Sequence, residues 1–118
     1  MQDLMHIGEF CHLIGGYAAE IDNVGEQMLL TNFLQMTGNY GYYIGANDMP
    51  NEGYFVQLYS RKPASNVQWA PGHPNLPGEN EDCVQATQAG LINVECGQLS
   101  KYVCEIPVLE EEEIAFNF

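Results

Sequence analysis

At 118 residues, 46% hydrophobic and 11% aromatic, the chain suffices for one buried core and is too short for two. Three Lys or Arg against sixteen Asp or Glu give a formal charge of -13, which repels nucleic acid and anionic lipid, and no run of about eighteen apolar residues exists to span a bilayer. Neither nucleic-acid binding nor membrane insertion is expected.

The first ten residues lack a basic leader and a continuous apolar run, so they do not read as a signal peptide, and any leader is expected to have been removed. Leu4, Ile7, Cys11 and Ile14 recur at helical spacing from Gln2 or Asp3, and Gly15-Gly16 ends the pattern. A second helix is signalled by Asn23 as N-cap with Glu26 three residues later, followed by Leu30, Phe33 and Leu34 and closed by Gly38. Short β-like pieces then run from Tyr42 to Gly45, Gly53 to Leu58, Val67 to Trp69, Asp82 to Ala86 and Lys101 to Ile106. Helices first and strands later predict an α+β domain.

Between Ser60 and Glu81 the chain holds four prolines, two glycines and three asparagines with almost no periodicity, the profile of an irregular stretch that carries function. Residues 1–107 read as the domain and 108–118 as an acidic tail, because Glu110 to Glu113 is a run of four acids. Cys11, Cys83, Cys96 and Cys104 fit two disulfides better than a metal site, since no Cys-x-x-Cys pair occurs; three pairings are open. Cysteine use of this kind predicts a secreted, extracellular protein.

In order, the chain reads Cys11, Gly15-Gly16-Tyr17-Ala18, Tyr43-Ile44-Gly45, Glu52-Gly53, Trp69-Ala70-Pro71-Gly72-His73-Pro74-Asn75, Glu81-Asp82-Cys83-Val84, Cys96 and Val103-Cys104-Glu105. This series resembles the C-type lectin domain, whose signposts are Gly-Gly-x-Leu-Ala, Trp-Ile-Gly-Leu, Glu-Gly, Trp-x-x-Gly-Glu-Pro-Asn, Glu-Asp-Cys-Val, Trp-Asn-Asp-x-x-Cys and Ile-Cys-Glu. Order and spacing agree from about residue 2 to residue 106. The compact frame and acidic balance are similar to those of invertebrate, perlucin-type members. The resemblance implies a C-type lectin-like fold in which two helices flank small antiparallel sheets, with a long irregular binding loop. It also implies disulfides Cys11–Cys104 and Cys83–Cys96, stabilising by roughly 4.6 and 3.0 kcal/mol on loop-closure entropy. All thiols are then used, so any homodimer or heterodimer is expected to be non-covalent.

Family members usually begin with a strand or hairpin before the first helix, whereas the first helix of this sequence is read from Gln2 or Asp3. Truncation or processing is the expectation; the alternative is that Ile114 to Phe118 supplies the missing edge contacts.

The family's sugar-binding calcium takes ligands at positions that read here His73, Asn75, Glu81, Ile92 and Asn93. Only Asn75 and Glu81 keep the family's residue. Calcium needs six to eight oxygen ligands, mostly carboxylates and carbonyls, so one acid among five positions predicts weak or no calcium at the sugar. His-Pro can adopt cis at small cost, which would preserve the loop's shape without metal. A second, structural calcium position is matched by Asp48, Glu52, Glu81 and Asp82, although Leu76 stands where an acid usually follows Pro-Asn. Four converging acids repel one another unless a cation neutralises them, so a structural Ca2+ is the cofactor to look for.

The resemblance thus implies a carbohydrate-binding lectin with glycan or glycoprotein partners. An imidazole, amides, one acid and an apolar side chain suit an acetamido group, which points to N-acetylhexosamines such as GlcNAc or GalNAc. The alternative is a protein-binding or biomineral-associated module without sugar affinity. His6, His12 and His73 are scattered without zinc-like spacing, and no feature suggests an enzyme. Trp69 is expected to pack into the core.

Overall fold

The computed structural model describes residues 4–36, 41–51, 53–74, 82–108 and 113–117. Helix α1 (Leu4–Leu13) buries Leu4, Ile7 and Cys11. It ends where Gly15 adopts φ 91°, with Gly16 N–H donating to Cys11 O at 2.8 Å and Gly15 N–H to His12 O at 3.0 Å. These are the paired bonds that close a helix through a left-handed glycine. Gly16 then lets strand β1 (Tyr17–Ala18) lie against the C-terminal strand, because a Cβ there would sit 2.0 Å from Glu105 O.

Helix α2 (Val24–Met36) starts as anticipated: Asn23 Oδ1 accepts from Glu26 N–H at 2.8 Å while Asn23 Nδ2 donates to Glu26 Oε1 at 3.1 Å. Leu30 and Leu34 are buried, but Phe33 is 44% exposed. Successive positions on a helix point about 100° apart, which sets Phe33 to one side of the stripe that Leu30 and Leu34 share.

Strand β2 (Tyr42–Asn47), buried throughout, runs through the larger sheet, where β3 (Val56–Gln57) and β4 (Cys83–Thr87) flank it antiparallel and β6 (Lys101–Tyr102) pairs it in parallel. Strand β5 (Gly90–Val94) pairs with β4 from Cys83↔Val94 to Thr87↔Gly90 and was not among the anticipated strands. Val67 to Trp69 forms no strand, only a bridge from Trp69 to Leu91. Gly90, at φ 126°, is what admits that bridge: a Cβ would lie 2.7 Å from Ala70 N.

The smaller sheet has the order β1-β7-β8, with β7 at Cys104–Val108 and β8 at Glu113–Asn117. The structure therefore departs from an acidic tail over 108–118: Val108 belongs to β7, and residues 113–117 pair antiparallel with it, from Val108↔Glu113 to Cys104↔Asn117. An apolar Ile-Ala-Phe triplet favours extended backbone and pairs with an edge of β7 that would otherwise be open. Glu110 to Glu112 lie outside the described residues.

Two disulfides tie the layers together, Cys11–Cys104 with Cα atoms 5.6 Å apart and Cys83–Cys96 with 5.0 Å, and no free cysteine remains. The first lies in a cluster with Leu4, Ile7 and Tyr43; the main core gathers Leu30, Leu34, Ile44, Val84, Leu91 and Val103. The architecture is α+β, two helices against small antiparallel sheets.

Candidate functional site

The irregular stretch is stapled to the sheet before it reaches the site. Gln27 grips Gln68 with both amide ends, donating to its carbonyl at 2.7 Å and accepting from its N–H at 2.7 Å. Ala70 N–H donates to Leu91 O at 2.9 Å, and Leu91 N–H to Gln68 O at 3.1 Å. Trp69 is half-buried against the core, edge-on to Phe55 at 5.0 Å, as a packing tryptophan should be.

Ala70-Pro71-Gly72-His73 then closes a turn. Gly72 takes φ 83° and His73 N–H donates to Ala70 O at 3.0 Å, as a turn with Pro second and Gly third requires. The turn delivers His73 to β5, where its Nδ1 lies 3.0 Å from Oδ1 of Asn93. An amide oxygen only accepts, so Nδ1 is the donor in this contact. Asn93 is 2% exposed and opposite Val84 in the β4–β5 ladder. Half-buried Ile92 is its neighbour, and the His73–Pro74 bond is cis.

Of the five sugar-site positions, His73 and Asn93 come together, Ile92 precedes Asn93 on β5, where successive side chains point to opposite faces, and Asn75 and Glu81 lie outside the described residues. The three that are described offer a hard cation no carboxylate, and one amide oxygen already accepts from the imidazole. They do not fit a calcium ion.

At the structural calcium position Asp48 is 1% exposed. Its Oδ2 accepts Gly53 N–H at 2.7 Å, whereas Oδ1 is buried and meets no hydrogen-bond donor among the described residues. Asp48 N–H donates to Asp82 O at 2.9 Å, which brings the second acid-bearing segment alongside. A buried carboxylate oxygen without a donor suits a cation. Glu52 and Glu81 lie outside the described residues, and among the described ones no group of three or more His, Cys, Asp or Glu is placed to hold a metal.

A second polar cluster was missed in the sequence, because its members lie far apart along the chain. Glu105 on β7 is buried; its Oε1 accepts Glu20 N–H at 2.6 Å and its Oε2 accepts the Tyr17 hydroxyl at 3.1 Å. Desolvation outweighs these bonds and pushes its carboxyl up to about 7. Burial and the adjacent Glu105 carboxylate push the Tyr17 phenol above its usual range. Glu20 in turn accepts from the backbone N–H of Tyr59 and Ser60 at 3.0 and 2.8 Å.

The family described as Lectin C-type domain matches residues 3–106. The chain is 31% identical to zebrafish (Danio rerio) Collectin-11 over 97 residues, 81% of this chain and 36% of the relative. It is 27% identical to Salivary C-type lectin 2 of Aedes albopictus over 109 residues, 82% of this chain and 72% of the relative. Among solved structures, the cow C-type carbohydrate-recognition domain of CD23, crystallised in the presence of a GlcNAc2Man3 oligosaccharide, aligns with TM-score 0.74 at 28% identity, covering 87% of this chain and 78% of that one. The mouse Scavenger Receptor C-type Lectin carbohydrate-recognition domain aligns with TM-score 0.77 at 19% identity, covering 87% and 81%, a likeness of fold. The chain belongs to the C-type lectin domain family. It spans about a third of the length of the collectins it matches, and none of its described helices is long and apolar enough to cross a membrane.

Proposed function

We propose that the chain is a secreted, non-enzymatic carbohydrate-binding lectin that recognises N-acetylated hexosamines, GlcNAc or GalNAc, with weak or no calcium dependence at the sugar. The observation that carries this reading is the 3.0 Å contact between His73 and Asn93. In the family mechanism a calcium ion there coordinates two sugar hydroxyls; in this reading the hydrogen bond between His73 and Asn93 organises the same place. The proposed site draws on the His73 imidazole and on the partly exposed Ile92 of β5, with Asn75 and Glu81 expected from the adjoining loop. An acetamido group matches that set, its N–H meeting an acceptor and its methyl an apolar side chain, at roughly 0.5 to 1.5 kcal/mol per hydrogen bond. Affinity for a monosaccharide is then in the millimolar range, about -4 kcal/mol, and rises if the domain is presented in several copies.

Competition by GlcNAc, GalNAc, glucose and galactose, each with and without chelator, tests the proposal. Selective inhibition by the acetylated sugars that survives chelation is the expected result. Equal inhibition by plain and acetylated sugars, or complete loss in chelator, would refute it. The net charge of -13 favours a second reading, a protein-binding or mineral-associated module; binding indifferent to every monosaccharide would select it.

A further inference from the structure

Away from the His73–Asn93 site, the outer face of α1 forms one wall of a cleft of about 320 Å³, whose lining includes Met5, Glu9, His12, Tyr17, Leu58 and Tyr59. Met5, Glu9 and His12 fall on one stripe because they are spaced by four and three residues. Gly8, between them, lets Leu58 lie against the helix, since a Cβ there would come within 3.0 Å of Leu58 Cδ2. Beyond Met5 and Leu58 the surface continues into a second hollow of about 510 Å³ with Met49, Pro50, Val56 and Arg61. Both volumes fall in the range of small-molecule sites, which combine apolar walls with a few placed polar groups.

The aromatic end of the cleft is held with unusual firmness for a surface feature. Tyr59 stacks on Tyr17 with ring centroids 4.4 Å apart and planes 9° from parallel. Tyr17 is anchored by its hydroxyl to buried Glu105, and Tyr59 by its N–H to Glu20. Tyr59 is nonetheless 65% exposed, so its stack leaves one ring face open to solvent. Glu9 brings a carboxylate to the same cleft, which has no Lys or Arg in its lining. An exposed, positioned ring and a carboxylate on the walls of one cleft, on a chain of charge -13, are complementary to a cation with an apolar body.

We propose that this cleft binds a hydrophobic ammonium compound, its cationic head on the open face of Tyr59 and beside Glu9, its apolar part over Met5 and Leu58 toward the second hollow. The proposal is independent of sugar binding, because none of the cleft's lining residues belongs to the His73–Asn93 site.

Hexyltrimethylammonium, 1-hexanol and hexanesulfonate, titrated separately into the full chain near neutral pH and followed by backbone amide shifts, compare three heads on one tail. The ammonium should give saturable shifts at Gly8, Gly16, Tyr17, Leu58 and Tyr59. Hexanol should bind at least about tenfold more weakly, and hexanesulfonate should leave these amides unmoved. Tyr59→Ala and Glu9→Gln, both at exposed positions and checked for an unchanged amide spectrum elsewhere, should each weaken the ammonium about fivefold or more. His73→Ala should leave it unaltered. Equal response to the three heads, shifts centred on an exposed acid outside the cleft such as Glu95, or unchanged affinity in Tyr59→Ala would each overturn the proposal.

Discussion

Tyr17 donates its hydroxyl to Oε2 of Glu105 across 3.1 Å, joining residues 88 positions apart in sequence at the seam where β1 meets β7. The carboxyl that accepts is two per cent exposed and keeps its proton to about pH 7.

That proton makes stability depend on pH with a definite sign. In the unfolded chain the same carboxyl titrates near its ordinary value of 4.5, so between about 4.5 and 7 unfolding releases a proton. The contribution is fully present below pH 4.5 and is lost as pH rises to about 7, on the order of 3 kcal/mol for the shift involved. Glu105→Gln imitates the protonated group. It should match the parent below pH 4.5 and exceed it in stability above pH 7, as denaturant melts at both ends of the range will reveal; a variant equal to the parent at both pH values contradicts the assignment.

The lost ligands at the sugar position can be restored. His73→Glu, Ile92→Asn and Asn93→Asp together replace the hydrogen-bonded pair with the oxygen donors that calcium takes. The triple variant should bind calcium with a Kd on the order of 10⁻⁴ to 10⁻³ M and make sugar binding sensitive to chelator. Calorimetry with calcium, followed by sugar-column elution in chelator, checks it.

Asp48 carries the structural-cation expectation, through its buried oxygen without a donor. Calcium in hundredfold excess over its Kd should stabilise the parent by about 2.7 kcal/mol, and Asp48→Asn should abolish the response. A melting temperature indifferent to calcium in the parent would remove the site.

Gly16→Ala should cost about 3 kcal/mol or more, because its Cβ would fall 2.0 Å from a carbonyl of β7 and backbone on both sides must move. Gly90→Ala should be comparably harmful, adding a left-handed φ to a 2.7 Å clash with Ala70 N. Gly97→Ala, where a Cβ meets nothing within 4 Å, is the control and should melt within about 0.5 kcal/mol of the parent by urea denaturation.

Replacing both members of a disulfide by Ala should cost more for Cys11–Cys104 than for Cys83–Cys96, since the separations are 93 and 13 residues. The loop-closure difference is roughly 1.6 kcal/mol. Denaturant titration of the two double variants gives the order directly.

What was legible in the sequence by itself is what short segments or covalent chemistry decide. The Asn23–Glu26 cap, the glycine stop at Gly15-Gly16 and the two disulfides each follow from residues at fixed offsets, whether along one turn of helix or along a family frame. The same frame marked His73 and Asn93, the two positions that a hydrogen bond joins in the fold. Tertiary structure alone decided the rest. Strand β5 starts at a glycine that reads as a breaker, and becomes a strand because its missing Cβ admits Ala70. Residues 113–117 turn from tail to strand when β7 supplies a partner edge. The imidazole bond to Asn93 and the proton on Glu105 depend on distances across 20 and 85 residues and on the exclusion of water around them. Hydrogen-bond energies and carboxyl ionisation respond to the local dielectric and to partners in space, and the chain acquires both only when it is folded.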